Sequence, residues 1–137
     1  MPADFKILKW SLLAGALYFF SVSIVHLLGA KVPILYIYFN VPSNAYQDRI
    51  ISFLSFGWAV FLFTAFTDPQ KQTALVKAVL VAGAGALLGL AINTAVTDFR
   101  TLDSSLDPSP FWMETFGLFI YWSWLLLFHR RSVTRKG

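Results

Sequence analysis

The chain of 137 residues is 57% hydrophobic and only 13% charged, with a net charge of +4 and a mean hydropathy of +0.63. Soluble domains are about 45–50% apolar and about 25% charged, so this balance argues against an ordinary soluble domain and for an integral membrane protein. The sequence has no cysteine, which excludes disulfides, thiolate metal sites, thiol redox chemistry and cysteine nucleophiles together.

The first apolar run covers residues 7–29. It is long enough for a helix crossing the hydrocarbon core, which takes ~20 residues. Lys6 and Lys9 look like the basic flank of a signal peptide. The run exceeds a signal-peptide core of about 7–15 residues, however, and no A-x-A site follows, so a retained span is expected. Within it Ser11, Gly15, Phe19, Val22 and His26 recur at intervals of three or four and fall on one helix face, with Ser23 at its edge. His26 is the last of them in the chain. Residues 32–41 form a second apolar stretch, bounded by Pro33 and Pro42, that is too short to span. Tyr36 and Tyr38 alternate there with Leu35, Ile37 and Phe39. The pattern predicts an interfacial or re-entrant segment at the membrane surface or across the mouth of a bundle.

The second span is expected at 50–66, with Ser52 and Ser55 near its start. The third, at 75–96, carries Ala78, Ala82, Gly85, Gly89 and Asn93 along one face. Gly85 and Gly89 form a G-x-x-x-G, the spacing that lets helices approach closely in lipid. Another span of the same chain is the economical partner for that face, and a homodimer through Gly85 and Gly89 is the alternative. Residues 97–110 read as a loop. The fourth span, 111–128, places Glu114, Gly117, Tyr121 and Leu125 or Phe128 on one face, and a basic tail follows at 129–137.

Four spans make an all-α membrane protein, expected as an up-down bundle. Lys6, Lys9, Lys71, Lys77, Arg130, Arg131, Arg135 and Lys136 would then share one side, against Lys31, Arg49 and Arg100 on the other. The positive-inside rule puts both termini in the cytoplasm, and a bacterial inner membrane is the expected location. Topology and anionic inner-leaflet lipid account for the basic charge, so no nucleic-acid partner is expected.

The same alternation sets His26, Asn93 and Glu114 at one depth near the outer face, with Asp48, Asp98 and Arg100 just above and Ser52 close by. An ionisable residue inside a span is a functional-site hypothesis by default. The plainer readings are a histidine that snorkels to water and a carboxylate favoured by a helix N-terminus. The alternation puts His26 near the outer face and His129 near the inner, a span of ~30 Å of hydrocarbon apart, which excludes a haem held by both. One strong ligand is too few for a catalytic zinc site, so neither metal nor cofactor is expected. Among the aromatics, Trp10, Trp112, Trp122 and Trp124 fit interfacial or lipid-facing positions. Tyr18, Phe19, Phe20, Phe53, Phe56, Trp58 and Tyr121 are candidates to line a pocket.

The functional expectation is a protein that binds or helps to move a small amphipathic or lipid-like molecule in an outward-opening pocket within the bundle. Its polar contacts would come from His26, Asn93, Glu114, Ser52, Asp98 and Arg100. Two alternatives belong to other classes: an accessory subunit of a larger membrane complex, and an intramembrane, isomerase-like enzyme using His26 and Glu114 as an acid–base pair.

Overall fold

A computed structural model describes residues 3–36 and 44–134. Part of the predicted interfacial segment, residues 37–41, and the last part of the basic tail, residues 135–137, lie outside the described residues. The elements are α1 (Ala3–Leu28), α2 (Ala45–Thr67), α3 (Thr73–Val96), the short α4 (Phe99–Leu102) and α5 (Ser109–Thr134). Four of these are long and apolar enough to cross a membrane, as the runs in the sequence predict. The helices extend beyond the apolar runs because their polar ends are capped rather than broken. Asn44 caps α2 by accepting the Gln47 amide at 2.9 Å, and α5 opens on Ser109–Pro110, where a proline costs no helical hydrogen bond. The reading of 97–110 as loop is corrected by α4. Asp98 caps this single turn by accepting the Arg100 amide at 3.1 Å.

Gly29 terminates α1. It has φ +66°, and the Ala30 amide reaches back to the Val25 carbonyl at 2.9 Å while the Gly29 amide reaches that of His26 at 3.2 Å. This is the Schellman pattern, which needs a residue in the left-handed region, where glycine has no Cβ penalty. The chain then turns sharply back over the helix end, and Tyr36 becomes fully buried.

Each long helix touches two others: α1 lies against α2 and α5, and α3 against α2 and α5. The apolar core is concentrated at one end. Leu8, Leu12 and Ala16 of α1 meet Leu62 and Ala65 of α2, Val76, Val79 and Leu80 of α3, and Leu125 and Phe128 of α5. At the same end Lys9 lies over the Phe66 ring at 5.0 Å, with Nζ 3.5 Å from the Thr67 carbonyl that closes α2. A cation there complements the C-terminal end of the helix dipole.

Two aromatic side chains of α5 dock it by donating to backbone carbonyls. Trp122 Nε1 donates to Leu80 of α3 at 2.7 Å. Tyr121 Oη donates to Ser11 of α1 at 2.9 Å. Trp124 Nε1 donates to the Ser11 hydroxyl at 3.0 Å. Trp122 is therefore half-buried against α3 and does not point fully outward, whereas Trp10 is 62% exposed.

The exterior is apolar. The accessible surface is 8375 Å², against about 7,200 Å² expected for a compact soluble protein of this mass. Leu28, Ile34, Val81, Val96 and Met113 are each 73–74% exposed. Water would not tolerate so much contiguous apolar surface on a monomer, whereas hydrocarbon does. The small-residue stripe of α3 is part of that exterior. Ala78, Ala82, Gly85, Gly89 and Asn93 are all exposed, and a Cβ added at Gly85 or Gly89 would meet nothing within 4 Å. The expected packing of this face against another span of the chain is thus corrected: α3 turns Val76, Val79, Leu80 and Thr94 inward instead.

Candidate functional site

At the end of the molecule opposite the core, the helices leave space. A cavity of about 620 Å³ lies between α1 and α5, beneath the turn at Pro33 and Ile34. A smaller one of about 220 Å³ lies between α3, α4 and α5. Phe111, Glu114 and Leu118 of α5 line both. Small residues create the larger space: Ala14, Gly15 and Gly117 form part of its wall, and a Cβ at Gly117 would meet nothing within 4 Å. Its volume falls within the range of about 300–1,000 Å³ usual for small-molecule sites.

Among the described residues, Glu114 is the single charged one lining either cavity. Helical spacing sets it on the same side of α5 as Gly117 and Tyr121, and so toward α1. Tyr18 Oη lies 3.3 Å from Glu114 Oε1 and 3.0 Å from the Ile34 carbonyl. A phenol has one proton to donate, so the two acceptors share it or compete for it. Through this hydroxyl the carboxylate is linked to the turn that covers the cavity. Ile34 has φ +73°, an outlier for a β-branched residue and a form of strain that gathers at functional sites.

His26 belongs to a separate cluster between α1 and α2. It is 1% exposed and stacks on Tyr36, with ring centroids 4.1 Å apart and planes 16° from parallel. Its Nδ1 is 3.7 Å from Asp48 Oδ1, and neither ring nitrogen makes a hydrogen bond among the described residues. One turn deeper, the Ser23 and Ser52 hydroxyls bond each other at 3.2 Å. The cluster lines neither cavity.

The residues singled out in the sequence are thus divided. Asn93 and Glu114 share the smaller cavity. Ser52 joins the His26 cluster through Ser23. Asp98 caps α4. Arg100 is exposed and makes no ion pair among the described residues. The carboxylate next to His26 is Asp48, not Glu114. Periodicity placed His26 and Glu114 on inward faces, but it could not say that α1 presents His26 to α2 and Tyr18 to α5. Tyr18 was legible only as a pocket-lining aromatic. Its link to Glu114 depends on the α1–α5 crossing, and Tyr36 reaches His26 only because of the turn after Gly29. Among the described residues no group of three or more His, Cys, Asp or Glu side chains could hold a metal ion. No family model, curated protein or solved structure matches the chain.

Proposed function

We propose that this is an inner-membrane protein, an up-down four-helix bundle with both termini in the cytoplasm, that binds or helps to move a small amphipathic molecule in the cavity between α1 and α5. One observation carries the reading: an apolar space of about 620 Å³ with a lone carboxylate, Glu114, on its wall. Apolar walls with few polar groups suit a molecule with an apolar body and a polar end. Support for the alternating topology comes from the core, where the starts of α1 and α3 meet the ends of α2 and α5. The basic flanks then place the cavity toward the outer face. Glu114 and Tyr18 serve as polar anchors, with Asn93 on the adjoining wall. His26, Asp48 and Ser52 hold the α1–α2 seam and the turn beneath Tyr36.

The test is thermal stability of the protein in lipid nanodiscs against a panel of amphiphiles. A ligand at a hundred times its Kd raises stability by about 2.7 kcal/mol. At least one amphiphile class is expected to give a saturable shift that Gly117→Val, which narrows the cavity, reduces. No saturable shift with any compound, or the same shift in Gly117→Val, contradicts the reading.

A second reading, a subunit of a larger membrane assembly or of a homodimer, is favoured by the bare α3 stripe at Gly85 and Gly89. Small residues without a partner in the chain leave room for a helix from outside it. Disulfide trapping of an Ala82→Cys variant tests it: a cross-linked dimer, or an adduct of constant mass, is expected on this reading and a monomer on the first.

A further inference from the structure

The ligand class follows from what is missing around Glu114. Its carboxylate, on a half-buried residue, faces an apolar cavity, and partial loss of hydration is costly to a charge unless an opposite charge or several donors compensate it. The chain supplies little of either. The ion pairs among the described residues are His26–Asp48 and Lys71–Asp68, and neither involves Glu114. Lys31, Arg49 and Arg100, the basic residues of this end, make no ion pair among the described residues. Its one donor among the described residues is Tyr18 Oη, at 3.3 Å, and that proton is claimed more closely by the Ile34 carbonyl at 3.0 Å. Oε2 has no hydrogen bond among the described residues.

The rest of the wall favours one sign of charge. Tyr18, Phe111 and Tyr121 line the larger cavity, and aromatic faces attract cations. Two of the rings are fixed: Tyr121 by its bond to Ser11 at 2.9 Å, and Phe111 by its stack on Phe99, with centroids 4.9 Å apart. Among the described residues no basic side chain lines either cavity, so an anion would find no opposite charge there. A neutral molecule would bring no charge to pair with the carboxylate.

Resting on the binding reading above, we infer that the cavity selects an amphipathic organic cation, an amine or quaternary ammonium with an apolar body, whose charge pairs with Glu114 among the rings of Tyr18, Phe111 and Tyr121. A quaternary ammonium needs no hydrogen-bond acceptor of defined direction, only a nearby negative charge and aromatic rings, and Glu114, Tyr18, Phe111 and Tyr121 border this space.

The experiment uses two probes of the same shape, phenyltrimethylammonium and its uncharged carbon isostere tert-butylbenzene. Their binding to the full chain in nanodiscs is measured by saturation-transfer NMR, with empty nanodiscs subtracted. The cation is expected to bind saturably and roughly tenfold or more tighter than the isostere, as an ion pair combined with cation–π contact implies. Glu114→Gln removes that preference, Glu114→Asp keeps part of it, and Gly117→Val weakens both probes. Equal binding of the two probes to the wild type, or a preference that survives in Glu114→Gln, overturns the cation assignment while the cavity reading stands. Absence of saturable binding by either probe overturns the cation assignment, and the amphiphile panel then decides the cavity reading separately.

Discussion

Gly15 shows how one missing side chain shapes the site. A Cβ there would overlap Tyr121 Oη and lie 2.8 Å from its Cζ and 3.3 Å from Leu62 Cδ1. The ring cannot simply swing away, because its hydroxyl is bonded to the Ser11 carbonyl. Gly15→Ala is therefore expected to lower stability by about 1–3 kcal/mol, the usual cost of overpacking. Tyr121→Phe should recover part of that loss in the double variant, and denaturant titration of the four members of this cycle measures the coupling. Strict additivity would contradict the contact. Ile34 makes the opposite case. It is 73% exposed and has φ +73°, so it pays for a left-handed backbone with little burial in return. Ile34→Gly removes a strain of about 1–2 kcal/mol and adds about 0.5–1 kcal/mol of chain entropy. Equilibrium unfolding should find the variant as stable as the wild type or slightly more so, and a clear loss would mean that the side chain packs on something essential.

The turns between helices rest on carboxylates. Asp68 accepts the amides of Gln70 and Lys71 at 3.1 and 3.2 Å, Asp103 that of Ser105 at 2.8 Å and Asp107 that of Ser109 at 2.9 Å. These bonds favour the ionised form. The backbone amide of Lys71 does most to hold Asp68 below the usual carboxylate range, and those of Ser105 and Ser109 do the same for Asp103 and Asp107. Because the folded values lie below the unfolded ones, the turns are fully stabilised above the ordinary carboxylate pKa of ~4 and lose that contribution as pH falls through the folded values. The amide resonances of Lys71, Ser105 and Ser109 should titrate with midpoints below ~4. Midpoints at or above that value would refute the assignment. These turns were partly legible, since Asp-Pro and Asp-Ser sequences announce them, but α4 was not. Four residues carry no periodicity, and the helix follows from the Asp98 cap alone. The stripe of α3 was misread for a physical reason. Small residues permit a close helix contact but do not require one, and lipid covers them as readily.

The molecule as a whole joins a tight core at one end to an open, apolar site at the other. The four helices and the inward faces of His26 and Glu114 could be read from spacing, because burial in a helix follows its period. The division of those two residues between α2 and α1 as neighbours could not, since it depends on how the helices cross. Orientation has a direct test, made clean by the absence of native cysteine. In intact cells a membrane-impermeant maleimide is expected to label Ser104→Cys and to reach Gln70→Cys only after permeabilisation. The reverse pattern would place the cavity on the cytoplasmic side. The central claim is that the space beside Glu114 holds a molecule. Native mass spectrometry of the protein released from membranes examines it most directly. A single one-to-one adduct is predicted to survive collisional activation in the wild type and to be weakened in Gly117→Val. A wild-type chain that flies bare, or an adduct equally retained when the cavity is narrowed, would contradict it.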